Sequence, residues 1–161
     1  MTIEINELLT ILEQQSNVLQ NLINLAESQV EILKVNNIEE LKRHTVLQEE
    51  QGRKLALLER DRGVLLVKYQ NQYQITITNI TDLASHLSPE DLQKLTNISE
   101  KILIKHERLH TAQELNKLLL KQGLSYSKKM LKNILGEDNG VYGKSGTKEN
   151  SKHQLMIDKS V

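Results

Sequence analysis

Five consecutive residues, His106-Glu107-Arg108-Leu109-His110, have the types and spacing for metal chemistry. On a helix, two histidines four apart stand on one face, where they could hold zinc while the glutamate activates a water. Zinc catalysis also needs a third protein ligand. In the extended form of this pattern the required glycine is replaced by Gln113 and the third histidine by Asn116. Glu114 is only one turn further along the same helix, the wrong geometry for closing a tetrahedral site, and Glu137 lies at the mouth of a polar tail. A zinc hydrolase built on His106 and His110 is therefore the remote alternative. The simpler expectation is one histidine at a helix seam and the other in solvent.

A second string, Gly143-Lys144-Ser145, resembles the end of a phosphate-binding loop. The leading glycine of that motif would fall at Asp138, and the strand before and helix after it are both missing, so the string is rejected. No serine, histidine and acid grouping is suggested by local spacing. The chain contains no cysteine, which excludes a disulfide framework, a thiolate metal site and a cysteine nucleophile. Nothing calls for a cofactor, and the expectation is that the protein is not an enzyme.

The elements that carry these residues are helices. One proline, Pro89, stands in 161 residues, and four of the seven glycines fall between Gly136 and Gly146, so long helix-permissive stretches lie on either side of Pro89. A first helix is predicted from about Ile3 to Asn36. Ile5, Leu8, Leu12, Leu19, Leu22, Ala26 and Leu33 line one stripe, widened by Leu9, Ile23 and Val30, and Gln15 and Gln29 break any perfect zipper. Asn37 and Glu40 read as a capping box opening a second helix to about Tyr73, through Leu41, Leu47, Leu55, Leu58, Leu65 and Leu66. Its polar middle, Gln48 to Arg53, implies a helix held by its neighbours. Ile75 to Thr78 alternate but have no strand to pair with and read as an extended connector, followed by a short helix over Thr81 to Leu87. Ser88-Pro89-Glu90-Asp91 is the clearest helix start in the chain. The third helix is predicted to run to about Leu135, on the order of 70 Å at 1.5 Å per residue, with Gly136 as its C-cap. The fold class is thus all-α: an elongated antiparallel bundle of about three long helices, a short connector helix and a disordered tail. A helical domain would occupy residues 1–136 and a flexible polar tail 137–161, with Leu155, Met156 and Ile157 as the tail's apolar cluster.

Charge narrows the partners. Twenty-one basic residues balance 21 acidic ones, and the only aromatics are four tyrosines, which speaks against a nucleic-acid binder. The start is acidic where a signal peptide is basic, and no apolar run approaches the roughly 20 residues of a membrane span, so no stable membrane insertion and a cytoplasmic location are expected. Lys121, Lys128, Lys129 and Lys132 lie near the end of the third helix with no acid among them. The simpler reading is that they complement the helix dipole; the other is a docking patch for an acidic partner or an anionic membrane.

Three strings taken together point to a family. Glu114 to Tyr126, with Asn116, the leucine pair Leu119-Leu120, Leu124 and then Tyr126, resembles the C-terminal helix of FlgN-type flagellar export chaperones. Leu58-Glu59-Arg60-Asp61-Arg62 is similar to the segment that closes that family's second helix, and Val141 to Gly146 to the string that follows its last helix. The resemblance implies a cytoplasmic chaperone that binds the C-terminal helical segments of hook–filament junction proteins, prevents their premature assembly and hands them to the flagellar export apparatus, without cofactor or metal. A different helical adaptor or coiled-coil secretion chaperone is the alternative. The expected partner-binding surface is the stretch carrying Leu119, Leu120, Leu124, Met130, Leu131, Ile134 and Leu135, with Gly123 allowing close approach or a bend and Asn116 and Tyr126 fixing register by hydrogen bonds. Monomer and homodimer are both compatible with the sequence.

Overall fold

The structure, a computed structural model, describes residues 2–142, with side chains to Leu135. Expectations for the tail beyond Tyr142, including Gly143-Lys144-Ser145 and Leu155 to Ile157, lie outside the described residues. Four helices and no strand are present among those described: α1 (Asn6–Lys34), α2 (Ile38–Tyr73), a 3₁₀ helix (Ile80–His86) and α3 (Pro89–Tyr142). The chain divides into two units, Met1–Leu119 and Leu120–Val161.

In the first unit, polar contacts give the helix directions. Gln48 Nε2 donates to Gln29 Oε1 at 2.6 Å, Asn21 Nδ2 donates to Gln51 Oε1 at 3.2 Å, and the Tyr69 hydroxyl donates to the Glu4 carbonyl at 3.1 Å, so α2 runs antiparallel to α1. Lys105 Nζ donates to the Ser16 carbonyl at 3.1 Å and hydroxyl at 2.9 Å, and Asn116 Nδ2 to the Ala26 carbonyl at 2.9 Å. Both numbers rise together, so this part of α3 runs parallel to α1. The unit is an up-down-up bundle with the connector at the end where the chain begins.

The helix ends follow from their residues. α1 starts later than its apolar pattern, at Asn6, because Ile3 and Ile5 are buried as a lead-in whose Ile3 N–H donates to the His86 carbonyl at 2.9 Å. It ends where Asn36 turns left-handed (φ 55°), a conformation asparagine tolerates better than most residues. Asn37 Oδ1 then accepts from Glu40 N–H at 3.2 Å, which caps α2. The reciprocal half of the expected box is replaced by an ion pair between the Glu40 carboxylate and Arg43 at 3.0 Å. In the connector, Asp82 accepts from the Thr78 hydroxyl and from the Thr78 and Asn79 amides, and these bonds hold its carboxyl below the usual range. The alternation of Ile75 and Ile77 is a pair of insertions into the core from extended backbone. Ser88 Oγ accepts from Asp91 N–H at 3.2 Å, opening α3 as expected.

The end of α3 differs from expectation. The helix passes through Gly136 to Tyr142, so Gly136 is not its C-cap. Lys121 to Lys132 therefore stand well before the last turn, which has no basic residue, and a terminal dipole no longer accounts for them.

The core is two apolar clusters divided by a polar layer. The first gathers Ile3, Ile5, Leu8, Leu12, Leu65, Tyr69, Leu83, Leu95 and Ile98; the second gathers Leu19, Ile23, Ala26, Leu109 and Ala112. Buried Gln15 and Ser16 fall between them on α1. α2 contributes only Leu65 and Tyr69 as buried residues, and Leu47, expected on its apolar face, is exposed. Its polar middle is held to α1 by the amide pairs of Gln48 and Gln51, as the sequence implied.

Tyr69 ties α2 to the N-terminal lead-in, and burial, followed by the Glu7 charge, pushes its pKa from 10.0 up to about 12. Folding thus opposes ionisation of this phenol. Its stabilisation is intact below pH 10.0 and is lost as pH rises toward about 12. Urea midpoints measured between those limits are expected to fall more steeply for the wild type than for Tyr69→Phe; parallel slopes would show that the phenol is not coupled to folding.

Candidate functional site

The metal-like string does not form a site. His106 and His110 are both exposed, so the expectation that one of them occupies the seam is corrected: Leu109 and Ala112 fill those positions. Arg108, between the histidines, makes a bidentate pair with Glu27 of α1 at 2.7 and 2.9 Å. Among the described residues no group of three histidine, cysteine or acidic side chains is placed to hold a metal ion. An open cleft of about 400 Å³ lies beside that ion pair, lined by Glu27, Val30, Arg108, Thr111, Ala112 and Leu115. It is shallow and mostly apolar, without the convergent polar groups of a substrate pocket.

The residues expected to bind a partner fall in both units. In the first, Asn116 is buried and its amide is engaged by the Ala26 carbonyl, while its Oδ1 has no hydrogen-bond partner. Leu119 is half-buried. Asn116 thus lies inside the bundle, at the end of the second apolar cluster.

In the second unit, every described side chain from Leu120 to Leu135 is exposed. Leu120, Leu124, Leu131 and Leu135 recur at spacings of four, seven and four and fall within about 60° around the helix. Ile134 and Met130 widen this stripe on one side. All six are between 41% and 53% exposed, which leaves each with a large apolar surface available for burial. Gly123 lies on the same side as Met130, and nothing stands within 4 Å of where its Cβ would be. Tyr126, 67% exposed, lies beyond Met130 at the margin and not in the stripe.

Lysines line the opposite margin. Lys121, Lys128 and Lys132 repeat the seven-and-four spacing of the leucines and form one edge, about 80–120° from Leu120, whereas Lys129 is on the back of the helix. Among the described residues Lys121, Lys129 and Lys132 have no acidic partner. This one-sided edge was visible in the sequence as spacing, but it gains meaning only once the helix is known to continue beyond it.

A chain whose described elements are all helices, and whose apolar stripe from Leu120 to Leu135 is exposed, has the attributes of a helical binding protein. Among the described residues no helix is long and apolar enough to cross a membrane. The family model described as FlgN protein matches residues 1–150, and the chain belongs to the FlgN family, a family of flagellar chaperones. No characterised protein and no solved structure matches the chain.

The burial of Asn116 sets a test of its role in the bundle. Asn116→Ala is expected to cost roughly 1–3 kcal/mol of stability by urea denaturation, from the lost bond to Ala26 and the space left behind. Asn116→Asp, which would place an acceptor against the Ala26 carbonyl, is expected to cost more at neutral pH. That excess should shrink as the carboxyl protonates in acid. Near-neutral stability changes for both variants would show that this amide does not help hold α1 to α3.

Proposed function

We propose that this protein is an export chaperone that holds the C-terminal helical segments of hook–filament junction proteins in the cytoplasm and delivers them to the flagellar export apparatus. The observation that carries the reading is the uncovered stripe of Leu120, Leu124, Leu131, Ile134 and Leu135, in a chain of the FlgN family. A subunit segment that lacks its assembly partners presents an apolar helix face. Packing of that face along the stripe buries both, as in other helix-in-groove recognition. Complete burial of one leucine or isoleucine side chain is worth roughly 1.5–3 kcal/mol, so a few such contacts supply useful affinity after the cost of association is subtracted. Met130 allows the same surface to suit more than one segment, and Gly123 lets a partner backbone come close.

Calorimetric titration of the full chain with the C-terminal segments of the organism's junction proteins tests this. Saturable one-to-one binding is expected. The combined Leu124→Asp and Leu131→Asp variant is expected to weaken it at least about a hundredfold, since each charge would have to be desolvated in the complex. Circular dichroism should show the variant folded, because both positions are exposed. Absence of binding by the wild type, or full affinity in the folded variant, would refute the proposal.

A further inference from the structure

The apolar stripe has unlike edges. On one side of it run Lys121, Lys128 and Lys132, in step with the leucines; on the other lie Gly123, Met130 and Tyr126, which carry no charge. No acidic residue occurs from Leu120 to Leu135. In heptad terms Leu124 and Leu131 are at a, Leu120 and Ile134 at d, and Lys121 and Lys128 at e, the position that meets a flank of the opposite helix, a position they share with Leu135; Lys132 falls at b, just outside it.

We infer that the occupant of this stripe is an amphipathic helix whose apolar face is bordered by glutamate or aspartate, and that the lysine edge selects it by charge. The inference rests on the chaperone reading and names the chemistry of the partner it requires. Three observations support it. The lysines are too far from the helix end to answer the dipole. Lys121 and Lys132 have no acid of this chain to pair with among the described residues. At e, the alkyl stems of Lys121 and Lys128 extend the apolar surface while the ammonium groups sit where a partner's flank arrives. A second copy of this chain is a poor occupant, because antiparallel docking would set lysine edge against lysine edge and parallel docking would set the lysines against uncharged Gly123 and Met130 and leave them unpaired.

The test uses the full chain and two synthetic helical peptides of about three heptads, identical at a and d and bearing glutamate or lysine at e and g. At low salt the glutamate peptide is expected to bind about tenfold or more tightly than the lysine peptide. That preference should shrink severalfold in about 0.5 M salt, where exposed charges are screened. The Lys121→Glu and Lys128→Glu double variant, which reverses the charge of both lysines at e, is expected to lose the preference or invert it. Lys129→Glu, on the back of the helix, is expected to keep it, which separates the edge from the overall charge. Equal binding of the two peptides, or a preference untouched by the double variant, would overturn the inference. So would a dimer that dissociates on Leu124→Asp with Leu131→Asp, or binding to phosphatidylserine vesicles that the glutamate peptide does not relieve. Binding of the junction segments without any peptide preference would leave the chaperone reading standing and remove this inference alone; loss of both would remove both.

Discussion

The alignment of α1 with the first part of α3 is the constraint on which the bundle depends. Parallel helices packed only through leucines can slide by a turn at little cost, because one apolar ridge resembles the next. Lys105 and Asn116 remove that freedom. Each reaches a polar acceptor on α1, Ser16 and the Ala26 carbonyl, at separations along the two helices that differ by one residue. A slip of one turn would leave a half-buried ammonium and a buried amide without those acceptors, and unsatisfied buried polar groups are costly. The two contacts lie at either end of the second apolar cluster and so define which leucines meet within it.

The long arm of α2 obeys a weaker version of the same rule. It fully buries only Leu65 and Tyr69; Leu55, Leu66 and Tyr73 are partly buried against the two clusters, and the polar middle is held to α1 by amide pairs. Side-chain amide bonds at a partly wet seam are individually modest, since water competes for both groups. They are directional, however, and that suffices to fix an antiparallel neighbour when the turn at Asn36 and Asn37 has already brought the two helices together.

Most of this architecture was legible in the sequence because helix starts and apolar periods are local. Ser88-Pro89 and Asn37 announce their helices through the hydrogen bonds they accept, and the connector's alternation describes extended chain inserting isoleucines. What could not be read depends on the third dimension. Leu47 fits the apolar period of α2, yet the seam there is filled by amides. His106 and His110 share a face, but Leu109 and Ala112 set which face meets α1. Gly136 looked like a stop because glycine is a frequent C-cap, although a glycine interior to a helix costs only about 1 kcal/mol and does not by itself end it. The stretch expected to bind a partner divides into buried Asn116, half-buried Leu119 and an exposed stripe from Leu120 onward, a division the sequence did not show.

That stripe poses a physical problem for the free protein. Uncovered leucines four and seven apart are a template for unwanted association, and under the proposed function a chaperone that aggregated on this stripe would be useless. Burying the stripe internally would remove the hazard together with the function. A charged edge resolves the conflict without covering anything. Lysines beside an apolar row keep it hydrated and repel other copies of the same row, while attracting a helix of opposite flank. On the proposed reading, solubility and selectivity come from one set of side chains. The same reading accounts for three of the segment's four lysines tracking the leucine spacing, with Lys129 alone on the back of the helix.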